Sequence, residues 1–245
     1  MGLEARNITG SEQVDSGLID EVENCDHMIL SDEFALLKVA ICGKNGCDIE
    51  VFFDSEEGFD EFIRMLNHYG FNCYIEQELD HTNLGSLMAF MEEDDPESEE
   101  MLSRDIVARV YISRKDYSPW FFRLNSLIFH IDSSIYHRRL GKFYGYPEQD
   151  IEAFAWIQKP LWKKRLWMSL GLTREKPLLD TEMLEKYGED LDEQDRKVFR
   201  IFTDHKLADS KERFERQVEK SKRWAGLMRE NDVDLDSYID DLVWD

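Results

Sequence analysis

The chain has 245 residues, 42% of them apolar and 12% aromatic, with a formal net charge of −23, so it can bury a sizeable core as one large domain or two small ones. No apolar run reaches the roughly 18 residues a spanning helix needs, the start "MGLEARNITGSEQ" is acidic where a signal peptide is basic and then apolar, and four cysteines in so long a chain do not make a disulfide scaffold. These features exclude a membrane-spanning or disulfide-stapled secreted class and lead to the expectation of a soluble, cytoplasmic protein.

Residues 1–30 carry scattered apolar positions among many carboxylates and read as an acidic lead-in with one short helix. "ALLKVAICG" (35–43) and "CDIEVFF" (47–53) are strand-like runs on either side of "KNG", and Asn45-Gly46 predicts a hairpin between them. "DSEEGFDEFIRMLNHYG" starts at the capping residue Asp54, spaces Phe59, Phe62, Ile63 and Leu66 as one helical face, and stops at Gly70. "FNCYIEQEL" (71–79) returns as a strand, "MEEDDPESEE" (91–100) is a solvated loop, and "RDIVARVYISRK" (104–115) alternates as a strand with one buried face. After Pro119 the pattern is helical. A helix capped by Asp132 or Ser133 ends at Gly145, and Pro147 opens the next at its first position. Short helices follow at 160–171 and 180–188, then one long or kinked amphipathic helix from Asp192 to about Glu230 and a terminal helix docked on its own domain. The fold class predicted is α+β: a small mixed or antiparallel sheet with a helix on one face over 31–132, and a helical module over 133–245 packed on it.

Charge is distributed unevenly. The net is −22 over residues 1–103, +7 over 104–178 and −8 over 179–245, so the basic island is the anomaly. Arg138, Arg139 and Lys142 fall within about one turn, and Lys163, Lys164 and Arg165 follow beside Trp162. Cations that neutralise phosphates, interleaved with rings that stack on unpaired bases, suit a non-enzymatic binding or regulatory protein that engages a polyanion, either nucleic acid or an acidic protein surface. A second reading is an interaction protein in which the island only neutralises its own acidic half. A third is an enzyme acting on a phosphorylated or anionic small molecule through His130, Asp132, His137 and Arg138, since imidazole and carboxylate side by side can move protons. Cys25, His27, Cys42 and Cys47 form a minor candidate for a metal, disfavoured because the Cys42–Cys47 gap is wider than a zinc knuckle. No nucleotide loop, dinucleotide fingerprint, nucleophile elbow or zinc-protease motif is present in the sequence, and no cofactor is expected.

The stretch from "VARVYISRK" to "HRRLGKFYGYPEQDIEAF" resembles an archaeal protein group without an assigned activity, in which a strand and a helix precede a Gly-x-x-x-Gly-Tyr-Pro element and an acid-led helix. The matching residues are Gly141, Gly145, Tyr146, Pro147, Asp150 and Phe154. The resemblance covers about a quarter of the chain; it implies an archaeal origin and assigns no site.

Overall fold

The structure is a computed structural model that describes residues 16–76, 104, 106–159, 161–170 and 177–243. The expected loop at 91–100, Trp244 and the side chain of His130 lie outside what is described. The fold is α+β, as predicted: a three-stranded antiparallel sheet, a two-stranded ribbon and, among the described residues, eleven helices.

The chain opens with α1 (Ser16–Glu23) and α2 (Leu30–Ala40), followed by β1 (Gly46–Phe53), α3 (Glu56–His68), β2 (Asn72–Glu76) and β3 (Ile106–Ser113). The acidic lead-in therefore contains a helix that buries Leu18, Ile19 and Val22 in the main core. The predicted hairpin is corrected. Residues 35–40 are helical, and β1 pairs instead with β3, Gly46 opposite Ser113 and Phe53 opposite Ile106. The physical reason is burial on nearly every side of α2. Phe34, Leu36, Leu37, Lys38, Val39 and Ala40 are all buried, which erases the 3.6-residue rhythm and leaves an unbroken apolar run that a strand would also show. Helix α3 is capped by Ser55, which accepts from Gly58 N–H at 3.2 Å, one residue after the expected Asp54.

Strand β3 is central, with β1 on one side and β2 on the other. Its Ala108, Val110 and Ile112 point with Cys47, Ile49 and Val51 into the main core. Contrary to the single buried face expected, the other face is covered at one end, where Tyr111 packs with Phe122 and Phe143 and Tyr74 stacks on Phe122 at 4.4 Å.

The helical half comprises α4 (Pro119–Ile131), α5 (Ser133–Tyr144), α6 (Glu148–Ile157), α7 (Leu161–Ser169), β4 (Pro177–Leu178), α8 (Asp180–Tyr187), α9 (Glu193–Phe202), β5 (Leu207–Ala208), α10 (Lys211–Glu230) and α11 (Leu235–Leu242). Asp132 caps α5 by accepting from Ser134 N–H at 3.0 Å, and Gly145 ends it in the left-handed region at φ 78°. A side chain at Gly145 would also come within 2.8 Å of the Asn45 amide, so the α5–α6 turn is locked against the loop before β1. Pro147 sits at the cap of α6, one position before the site predicted. The single helix expected over 192–230 is corrected to α9 and α10 with β5 between them, because Thr203 and Asp204 leave the helical path to serve a buried charge cluster and Ser210 starts a new helix. Helices α9, α10 and α11 bring Phe202, Trp224, Met228 and Tyr238 into the same core as the sheet.

One largely buried carboxylate on α2, beside the sheet, sets a pH dependence. Asp32 Oδ2 accepts from Glu50 N–H at 2.8 Å, and burial pushes its carboxyl up to about 7 although that bond opposes the shift. An acid whose folded value is raised loses stability as pH rises from its unfolded value near 4 to its folded value. Asp32→Asn, which keeps the acceptor oxygen and removes the charge, is expected to stabilise the protein by about 1–3 kcal/mol at pH 8 and to flatten the loss between pH 4 and 7. Urea unfolding at pH 5 and pH 8 checks this; equal changes at both values would refute it.

Candidate functional site

The sequence-predicted cations are mostly engaged close to home. Arg138 forms a two-pronged pair with Glu152, Nη2 to Oε2 at 3.0 Å. Lys163 bonds Asp132 and Lys164 bonds the Ile157 carbonyl. Arg139 donates to the Phe121 carbonyl at 3.1 Å and covers its ring at 4.5 Å. Lys142 and Arg165 are exposed, as is Trp162 at 65%. The partners of Arg138 and Lys163, Glu152 and Asp132, belong to the island itself. Around them α4 and α7 expose Trp120, Ile131 and Leu166.

Of the catalytic set proposed from sequence, the three side chains that are described each engage a neighbour. Asp132 caps α5 and holds Lys163, Arg138 is paired with Glu152, and His137 turns its ring edge to Phe154 at 5.0 Å. The possible metal set stays apart: Cys42 Sγ donates to the Trp224 carbonyl at 3.8 Å, Cys47 is buried in β1, Cys25 is half-buried and His27 packs on Phe53. Among the described residues no three His, Cys, Asp or Glu side chains are placed to hold a metal ion.

A different constellation lies where the two halves meet. Lys38 comes from the buried last turn of α2, Lys44 from the loop before β1, Asp204 and His205 from the α9–β5 connection, Asp150 from the first turn of α6. Helix α10 contributes Arg213, Gln217, Lys220 and Trp224, whose spacing puts them on one face. Gln217 fixes the connection by donating to the Phe202 carbonyl and the Thr203 hydroxyl, both at 3.3 Å.

Asp204 is the hub. Its Oδ2 accepts from Lys38 at 3.3 Å and from Lys44, and its Oδ1 from His205 Nδ1 at 3.3 Å. Burial would raise its carboxyl, but the ammonium groups of Lys38 and Lys44 outweigh this and hold it well below the usual range. His205 Nε2 faces Asp150 Oδ2 at 3.2 Å, and its ring stacks on Tyr146 at 4.1 Å. Burial disfavours the imidazolium, yet the two carboxylates raise its pKa above the ordinary value. Both ring nitrogens are therefore occupied, so His205 positions its neighbours and has no nitrogen left to exchange a proton with a ligand. Asp150, 1% exposed, also accepts from Ala208 N–H at 2.9 Å and from Arg213.

Positive charge is in excess here. Lys38, Lys44, Lys220, His205 and Arg213 face Asp204, Asp150 and, at the edge, Asp48. Burial lowers the pKa of Lys38 even with Asp204 beside it. Lys220 is likewise lowered by burial and lies over the Trp224 ring at 4.0 Å with no carboxylate in hydrogen-bond reach among the described residues. A cleft of about 400 Å³ opens onto Lys38, Lys44, Tyr144, Tyr146, Arg200 and Asp204. Of this site the sequence pointed to Tyr146 and Asp150, in the Gly-Tyr-Pro element and the acid-led helix after it; its other signals were Asp204-His205 interrupting the apolar rhythm between Phe202 and Leu207, and a lysine inside the apolar run of α2.

Comparison with family models, curated proteins and solved structures finds no match to this chain. The site's own chemistry therefore carries the functional reading.

Proposed function

We propose that the chain binds a small anionic ligand, a carboxylate or phosphate, on the ammonium groups of Lys38 and Lys44 in the cleft between α2, the α5–α6 turn and the α9–β5 connection. The observation that carries this is the convergence of Lys38 and Lys44 on the one carboxylate of Asp204, with His205 on its other oxygen and Lys220 nearby. Charge that is poorly compensated inside a protein is costly, and an anion is the group that relieves it. In a molecule carrying −23 overall, such a site is also selective: the surrounding carboxylates repel anions that cannot reach the lysines. Calorimetric titration with inorganic phosphate and with acetate tests it. Lys44→Met is expected to weaken binding about 10- to 100-fold, the loss of one or so charge-assisted hydrogen bonds, while unfolding measurements confirm a folded variant. Equal affinity in Lys44→Met and the unsubstituted chain would reject the reading.

The basic, aromatic surface of α4 and α7 supports a second reading. Trp120, Ile131, Trp162 and Leu166 are exposed, with exposed Arg123 and Arg165 nearby. With Arg138 and Lys163 neutralised locally, this face suits an acidic amphipathic protein segment better than a phosphate backbone, because apolar exposed groups outnumber uncommitted cations. Adding single-stranded oligonucleotide to the same titration discriminates: strong binding that weakens steeply with salt would favour nucleic acid instead.

A further inference from the structure

A second cavity, of about 380 Å³, lies on the other side of the same tyrosines. Its walls include Leu140, Ile151, Phe154 and Leu179, and it shares Tyr144, Tyr146, Thr203 and Asp204 with the lysine-lined cleft. The local sequence explains the shape. Gly141 lets α5 approach Ile151 of α6 so closely that a Cβ there would sit 2.8 Å from the isoleucine side chain, and the Gly145 turn then throws Tyr146 back between the two spaces. Tyr144 and Tyr146 are largely buried, and burial holds their hydroxyls protonated far above neutral pH. Both supply an apolar ring together with a polar hydroxyl, and that of Tyr144 bonds Asp48. His137, whose ring is half-buried and whose pKa is lowered by that burial, adds a neutral aromatic edge to the apolar cavity.

We infer that the ligand is an amphipathic anion, an alkyl or aryl carboxylate or phosphate ester, whose charged head rests on Lys38 and Lys44 while its apolar body passes the tyrosine pair into the cavity walled by Leu140, Ile151 and Phe154. This rests on the anion-binding reading above and specifies its ligand. A head group alone would leave the apolar walls of Leu140, Ile151, Phe154 and Leu179 unfilled, although Asp150, Asp180, His205 and Lys206 also line this cavity. An apolar ligand alone would leave the lysine charge unrelieved. A molecule with both parts satisfies the two spaces at once, and the shared tyrosines are where its two parts join.

The experiment is a chain-length series measured by calorimetry: acetate, butyrate, hexanoate, octanoate and decanoate, alongside inorganic phosphate and the matching alkyl phosphates. The dissociation constant is expected to tighten about three- to fourfold for each methylene added, until the cavity is full. The two series separate a carboxylate from a phosphate head by their relative affinities at equal length. Leu179→Trp places a bulky ring at the cavity from a residue that is 46% exposed, and urea unfolding confirms that the variant is folded. This variant is expected to lose the gain in affinity from longer chains; an undiminished gain would rule this cavity out as the place of the apolar body. If phosphate and acetate bind through Lys44 but the series is flat, the amphipathic ligand is refuted and the anion site stands. If long chains bind equally well to Lys44→Met, the apolar cavity acts without the lysines and the inference falls. If no probe of either series binds, both readings fall.

Discussion

Asp204→Asn is expected to lower the free energy of unfolding by about 3–5 kcal/mol, the range for breaking a buried ion pair from one side. Lys38 and Lys44 keep only 5% and 7% of their side chains exposed, so the substitution leaves two ammonium groups largely out of water without the carboxylate that both of them bond. The elements that separate are far apart in sequence: α2 and the loop before β1 on one side, the α9–β5 connection on the other. The hub therefore joins the sheet to the helical half, and its loss raises the unfolding rate and denaturant sensitivity together. The pH profile carries its own signature. Asp204 has a folded pKa depressed below its unfolded value, so its contribution is present above about pH 4 and disappears as pH falls toward the folded value. His205 has a folded pKa raised above its unfolded value, so its contribution is complete below about pH 6.5 and is lost as pH rises through the folded value. The native chain should be most stable between these limits, and Asp204→Asn should blunt both edges. A loss below 1 kcal/mol by urea unfolding would contradict the hub. The concerted variant Lys38→Met, Lys44→Met, Asp204→Leu should recover most of the stability, since apolar groups of similar volume replace buried ion pairs at little cost. It should still bind no anion, which separates the structural role of the cluster from its ligand role.

The parts legible in the sequence were those with local punctuation. Asp132, Gly145 and Gly70 mark helix ends by capping and left-handed backbone, and each was read correctly within a residue or two. The alternation of β3 was likewise visible, because one face is buried along its length. What escaped was set by contacts distant in sequence. The Asn45-Gly46 pair reads as a hairpin until β3, sixty residues on, takes the place beside β1 that residues 35–43 would have filled. The split between α9 and α10 escaped because the force that turns Thr203 and Asp204 out of the helix comes from Lys38, Lys44 and Gln217. The cationic island was visible as composition, but Glu152 and Asp132, which engage Arg138 and Lys163, look in the sequence like an ordinary helix residue and a cap. Around the Gly145–Pro147 turn, Gly141, Tyr146, Asp150 and Phe154 all line the second cavity, so this stretch shapes a cavity as well as stopping and starting helices.

Asp150→Asn is expected to be as damaging as Asp204→Asn, about 3–5 kcal/mol, and for a related reason. The carboxylate is 1% exposed and receives the Arg213 guanidinium through two nitrogens, the His205 imidazole and the Ala208 amide. An asparagine keeps one acceptor but turns an N–H₂ group toward two donors, stranding a buried guanidinium and leaving the His205 imidazolium with Asp204 alone. Arg213→Met should cost less, because Asp150 retains the imidazolium and the amide as partners. A double-mutant cycle between the two positions is expected to return a coupling of about 1–3 kcal/mol; a value near zero would mean that the pair is a contact without energetic consequence. The same substitution reaches the ligand site both directly, since Asp150 lines the second cavity, and through its neighbours. Asp150 holds His205, and His205 holds Tyr146 by stacking, so Asp150→Asn should weaken the binding of long-chain anions more than that of phosphate. Tyr146 borders both spaces, and only a ligand that passes it should register a loosened ring.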